Sequence, residues 1–214
     1  QKEQDPIRGV FAYVADGLLQ PGEEAPAHQP QLLPGQVKLK NINGDDKLNE
    51  EDMVLIGRND PKFIFGFNNN FSYKNFDLNI YMYGQVGKIA GANSYYDAWG
   101  SYGNRIKLGQ NVPVSFKDAW SSDNQTSTRP SFIESAYGTG DLFLQKISFL
   151  RIRNITLGYT VPISKSICNR LRVYADVNNP CVWTNWKGQD PETDSNTNAY
   201  PNVTSFSIGV DISF

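Results

Sequence analysis

The chain is poor in the residues from which catalytic and metal centres are usually built. Of 214 residues, one is histidine, His28, and two are cysteines, Cys168 and Cys181. A lone imidazole and two thiols leave no Cys/His cluster for a structural or catalytic metal. Positive charge is not in excess either: 20 Lys and Arg stand against 22 Asp and Glu, for a formal charge of −2. That balance offers no basic face for nucleic acid or an anionic lipid surface. No apolar run approaches the roughly eighteen residues of a membrane-spanning helix, and the mean hydropathy is −0.47. A low mean does not exclude a membrane-spanning β-barrel, in which water-facing side chains alternate with lipid-facing ones and dilute the average.

What is present points to strands and turns. The chain holds 11 Tyr, 12 Phe and 4 Trp together with 18 Gly, residues that suit pleated surfaces and tight turns better than helices. The organising signal is alternation with a period of two. Phe206, Ile208, Val210, Ile212 and Phe214 share one face of the final segment, opposite Ser205, Ser207, Gly209, Asp211 and Ser213. In a second block, Phe63, Phe65, Phe67, Phe71 and Tyr73 share a face on which Asn69 is the exception, opposite Asn68, Asn70 and Ser72. After Lys74-Asn75 the pattern resumes, with Phe76, Leu78, Ile80 and Met82 set against Asp77, Asn79, Tyr81 and Tyr83. Two strands joined by about two residues make a tight hairpin. Further strands are expected within 147–161, ended by Pro162, and from Leu171 onward, with a weaker one around Gly9 to Val14. Cys168 and Cys181 flank one of these strands, too far apart for a disulfide.

The connections carry more information than the strands. Links at 74–75 and 162–170 are short, whereas those near 17–61, 88–145 and 184–202 are long and rich in Gly, Asn, Asp, Pro and Ser. Strand ends thus alternate between short and long links, as in outer-membrane barrels with periplasmic turns and extracellular loops. Phe71, Tyr73, Phe76, Tyr159 and Phe214 all fall at short-link ends, where an aromatic girdle would sit at headgroup level. Six strands cannot close a membrane barrel, whose smallest forms have about eight, so the expectation is of a segment whose other strands lie upstream.

Several segments, in order along nearly the whole chain, carry a resemblance. They are Asp16-Gly17-Leu18, Asn41 to Asp45, Ile56 to Phe63, Phe65-Gly66-Phe67-Asn68, Ser148 to Tyr159, Leu171 to Tyr174, Asn179, Gly188 to Glu192 and the terminal strand ending in Phe214. Together they resemble the SusC/RagA family of TonB-linked outer-membrane proteins. The resemblance implies the carboxy-terminal strands of a plugged barrel of roughly 22 strands, a SusD-like surface lipoprotein as lid, and energy from the TonB complex through an amino-terminal part. It also implies import of glycans, or in some members peptides, and a barrel-assembly signal at Phe214.

Four features bear on chemistry. In the segment 41–52, Asn41, Asn43, Asp45, Asn49 and Asp52 occupy calcium-loop ligand positions. Asn41 stands where Asp usually leads, Asp46 where the turn wants Gly, and Asp52 where a longer Glu usually chelates. The competing reading is a polar turn built on Asx side chains. Gly188-Gln189-Asp190-Pro191-Glu192 brings two carboxylates close together without a nucleophile, which favours a loop cap over an acid–base pair. Tyr95, Tyr96, Trp99, Tyr102, Trp120, Trp183 and Trp186 fall in the long loops, where exposed rings would stack on sugars or dock a partner, or else pack the loops themselves. Arg151 and Arg153 are placed near the extracellular interface, facing lipopolysaccharide phosphates or pairing with a neighbour.

The sequence therefore predicts an all-β, antiparallel transmembrane barrel segment in a bacterial outer membrane, with loops extracellular and the C-terminus periplasmic. It predicts no enzyme and no nucleic-acid partner. A structural or passive barrel component and a soluble all-β carbohydrate-binding module are the competing readings. Cargo is not legible, because it depends on loops and partner residues beyond the alternating strands.

Overall fold

The computed structural model describes residues 8–91, 108–109, 111, 114–132, 136–163, 168–188, 190–193 and 200–214. Among the described residues its regular elements are strands and two short 3-10 turns. The pairs Gly9–Ala12 with Val54–Arg58, Ala15–Leu18 with Val37–Leu39, Phe63–Tyr73 with Phe76–Gly91, and Arg170–Thr184 with both Leu144–Val161 and Ser205–Ser213 are antiparallel. The chain divides into two compact units. One draws on Gln1–Asp60 and Ile89–Gln145, the other on Pro61–Lys88, Lys146–Thr193 and Asn198–Phe214.

The second unit is built on a five-stranded sheet in sequence order: β5 (Phe63–Tyr73), β6 (Phe76–Gly91), β7 (Leu144–Val161), β8 (Arg170–Thr184) and β9 (Ser205–Ser213). Strands β5 and β6 pair without a slip from Phe63↔Val86 to Tyr73↔Phe76. The two-residue turn Lys74-Asn75, with Lys74 at φ 52°, closes the hairpin and fixes that register. β7 and β8 pair from Val161↔Leu171 upward until the register shifts between Ile152 and Asn154. There β8 carries one residue more than β7, and Asn179 takes a left-handed φ of 49°, the signature of a bulge that bends a strand. β8 and β9 pair without interruption from Arg170↔Ser213 to Asn178↔Ser205.

The first unit holds two small sheets, β1 (Gly9–Ala12) with β4 (Val54–Arg58), and β2 (Ala15–Leu18) with β3 (Val37–Leu39). Leu18, Val37 and Leu39 form its core, with Tyr13, Ala15, Leu48, Trp120 and Tyr137 packed around them. Gln29, fully buried, serves β3 as a surrogate strand neighbour: its Oε1 accepts from the Leu39 N–H at 2.7 Å and its Nε2 donates to the Val37 carbonyl.

Two expectations change here. The segment 9–14 does form a strand, but its partner is β4, so the long sheet has five strands among the described residues instead of six. The stretch 17–61, expected as an unstructured loop, contains β3, β4 and a 3-10 turn, Glu50–Asp52. Strands of three to five residues are too short for alternation to rise above chance.

Candidate functional site

The sheet of the second unit has two chemically distinct faces. Phe206, Ile208, Val210 and Ile212 point to one side and are 76, 84, 55 and 53% exposed. Phe67, Phe71, Leu157 and Val173 are also exposed. Among the described residues neither a second sheet nor a helix covers the β9 side chains, so this band is an open apolar surface of the kind water-soluble domains avoid. At the short-link end, the Phe76 and Tyr159 rings meet with centroids 4.7 Å apart, and Phe71, Tyr73 and Phe214 stand exposed.

The opposite face is a lattice of polar side chains. Asn79 donates to Asn68 and Asn70 across the hairpin at 2.7 and 2.6 Å. Asp176 accepts from Asn154, Thr156 and Asn178. Arg172 grips Asp77 through Nε and Nη2 at 2.9 and 2.6 Å and reaches Asp211 through Nη1 at 3.0 Å. Polar groups bonded to one another along a wall suit a watery interior.

At the other end of β7 the connection between β8 and β9 is fastened down. Arg151, 2% exposed, donates from Nη2 to Asp190 Oδ1 at 2.8 Å, and its Nε lies 2.9 Å from Glu192 Oε2. Arg153 donates to Glu192 Oε1 at 2.5 Å and lies over the Tyr83 ring, 5.6 Å from its centroid. The same carboxylates hold the returning leg, since Asp190 Oδ2 accepts from the Asn202 N–H at 2.9 Å and Glu192 Oε2 from Asn202 Nδ2 at 2.7 Å. Burial acts to raise the Asp190 pKa, but the N–H groups of Glu192 and Asn202 and the Arg151 guanidinium outweigh it and hold the carboxyl below its ordinary value. Both arginines are thus engaged by the protein's own loop, and Asp190 and Glu192 form a clasp. The pairing of residues 39 apart had no signal in the sequence.

The aromatic candidates separate. Tyr95, Tyr96, Trp99 and Tyr102 lie outside the described residues. Trp120 packs on the core of the first unit, with its ring over Gly35 and its Nε1 donating to Gln20 at 3.4 Å. Trp186 is buried. Trp183 is exposed, but it belongs to strand β8 and not to the loop that follows.

In the loop 41–52 the five candidate ligands all accept hydrogen bonds from the loop itself. Asn41, Asn43, Asp45 and Asn49 receive the N–H groups of Gly44, Asp45, Lys47 and Glu51. Asp52, fully buried, receives those of Ile42, Asn43 and Asn49. Bonds from the Asn49, Ile42 and Asn43 N–H groups keep Asp52 below the usual carboxylate pKa, against the cost of burial. Asn49 and Asp52 cap the Glu50–Asp52 turn reciprocally. Among the described residues, no group of three or more His, Cys, Asp or Glu side chains is placed to hold a metal ion.

No protein-family model matches the chain. Two curated relatives are TonB-dependent receptor P3 of Formosa agariphila, 27% identical over all of this chain and 23% of the relative, and TonB-dependent receptor SusC of Bacteroides thetaiotaomicron, 27% identical over 80% of this chain and 17% of the relative. Among solved structures, the RagAB peptide transporter superposes on 96% of the chain with a TM-score of 0.72 at 21% identity, using 22% of its own chain. In sequence the chain is similar to these TonB-dependent receptors, SusC among them, and in fold to RagAB. It spans about a fifth of the length of the curated relatives it matches. In the SusC/RagA-like frame, the sheet β5–β9 is part of a barrel wall, and the two faces take their meaning from that.

Proposed function

We propose that this SusC/RagA-like chain supplies wall strands and surface loops to an outer-membrane, TonB-dependent importer of large nutrients. The observation that carries the reading is the open apolar band on β9, backed by a hydrogen-bonded polar face on the same strands. Lipid covers the first and a water-filled lumen meets the second. Among the described residues β5 and β9 are the outer strands of this sheet, and further strands would pair with them, since an open sheet edge in hydrocarbon costs several kcal/mol for each unpaired group. The clasp at Arg151 and the aromatic cluster at Phe76 and Tyr159 mark the two ends of the wall, with loops extracellular and the end at Phe214 periplasmic. Phe214 serves as the assembly signal. Cargo is a glycan in preference to a peptide, delivered under a SusD-like lipoprotein lid and driven by the TonB complex. No enzymatic activity is proposed, in keeping with the curated relatives, which are named as receptors.

The test is uptake by intact cells. Loss of accumulation of labelled oligosaccharide on deleting either the gene or TonB supports the proposal. Recovery of the native protein in the soluble fraction without detergent overturns its membrane placement, and TonB-independent uptake overturns the energy source. An equal or greater uptake of oligopeptide reverses the cargo preference. Calcium at Asn41, Asn43, Asp45, Asn49 and Asp52 is a separate proposal, supported by sensitised terbium emission that Asp52→Asn abolishes and overturned by its absence.

A further inference from the structure

Alternation with a period of two rejects a one-residue slip between strands, because that turns every apolar side chain to the wrong face. It is blind to a slip of two. For β8 and β9, the observed register sets Leu171, Val173, Ala175 and Val177 opposite Ile212, Val210, Ile208 and Phe206. Moving β9 by two residues in either direction still sets aliphatic or aromatic residues opposite Leu171, Val173 and Ala175. The hairpin β5–β6 is protected by its two-residue turn, but β8 and β9 are joined by the long connection 185–204, which has no tight turn to fix the strand register, although Asn202 is held by the Asp190–Glu192 clasp. Some feature of the polar face must discriminate.

We infer that Arg172 and Tyr174 form a register lock that sets β9 against β8. Arg172 binds Asp211 directly opposite it at 3.0 Å and, in the other direction, passes over β7 to Asp77 on β6. The passage exists because position 158 is glycine: a Cβ there would lie 2.5 Å from Arg172 Nε and Nη2. Tyr174 lies flat on Gly209, where a Cβ would come within 2.3 Å of the ring. The guanidinium in turn sits over the Tyr174 ring, 5.0 Å from its centroid, so the two contacts hold each other in place. A slip of two sets Arg172 opposite Gly209 or Ser213 and Tyr174 opposite Ser207 or Asp211. Either way Arg172 loses the carboxylate directly opposite it, and the Tyr174 ring faces a residue with a Cβ in place of Gly209. At the far end of β8, Asn179 donates to the Val203 carbonyl and accepts from Thr204 Oγ1; these bonds anchor the start of β9 and give the control.

The lock is read by cross-linking in membranes that hold the native protein, with Cys168→Ser and Cys181→Ser as background. Ala175→Cys is combined with Ile208→Cys for the observed register, or with Val210→Cys or Phe206→Cys for the slipped ones, because facing Cβ atoms about 4.5–5.5 Å apart oxidise far more readily than diagonal ones at about 7–8 Å. The expected main product is the pair with Ile208→Cys, with a shift toward the slipped pairs in Arg172→Met/Tyr174→Leu. A relocated lock, Gly209→Ser/Asp211→Gly/Ser213→Asp, is expected to move the main product to the pair with Val210→Cys. Retention of the Ile208→Cys product in both variants overturns the inference, as does slippage caused by Thr204→Ala alone. These outcomes do not depend on what the protein imports.

Discussion

Arg151 and Asp190 meet at 2.8 Å with side chains only 3 and 4% exposed, although 39 residues separate them. The pair closes a circuit through Glu192, Arg153 and Asn202 that ties both legs of the β8–β9 connection to strand β7. Removing one member leaves the other charged and buried, which costs about 3–5 kcal/mol. Arg151→Met is therefore expected to free the loop while the wall stays assembled, read as new trypsin cleavage after Lys187, which is exposed in the same connection. Arg151→Met/Asp190→Asn/Glu192→Gln should recover part of the protection, because no charge is then stranded among buried groups.

The same clasp predicts a pH dependence with a definite sign. The Asp190 pKa is lowered in the folded protein, so the unfolded chain takes up the proton first as pH falls. The stabilisation is fully present above the ordinary Asp value of about 3.9 and disappears as pH drops through the lower folded value. Protease protection of the loop measured against pH should decline in that acid window, and Asp190→Asn should remove this component of the decline.

The two faces of β9 should differ sharply in tolerance for charge. Ile208→Arg places a guanidinium on the open apolar face, at a cost of about 2–4 kcal/mol near the bilayer midplane. Ser207→Arg, one residue away, faces the polar side and should be nearly neutral. Denaturant unfolding in lipid vesicles distinguishes them, and equal losses for the two would contradict the lipid-facing assignment.

In the first unit, Gly35 combines a φ of 84° with a Trp120 ring atom 2.2 Å from where a Cβ would lie. Gly35→Ala must therefore adopt a strained backbone and push the indole off the Leu18–Val37–Leu39 core. A loss of about 1–3 kcal/mol is expected from the displaced packing, seen as a lower unfolding temperature. Gly22→Ala, at a similar φ of 82° but with nothing within 4 Å, isolates the backbone contribution.

Much of the long sheet was legible beforehand because its signals are local. The strands β5 to β9 alternate over nine residues or more, and the turn at Lys74-Asn75 stands between two such runs. The small sheets were missed, since β2, β3 and β4 hold three to five residues each and take their stability from the core beneath them. The pairing of β1 with β4 was missed because no local pattern says which edge a short strand joins. Asn179 carries no sign of its bulge, which exists only as a mismatch between two strands.

The amino-acid sequence alone set the alternation, and with it the separation of apolar from polar side chains along each strand, because side-chain direction in an extended chain depends only on position. It could not say whether the apolar face meets another protein layer or lies open, and Phe206 to Ile212 are equally compatible with both. Only the tertiary structure decided that, and only it brought Arg151 to Asp190 and Arg172 to Asp77. Pairings between distant segments follow from which surfaces are brought together, a property of the folded whole that no local pattern encodes.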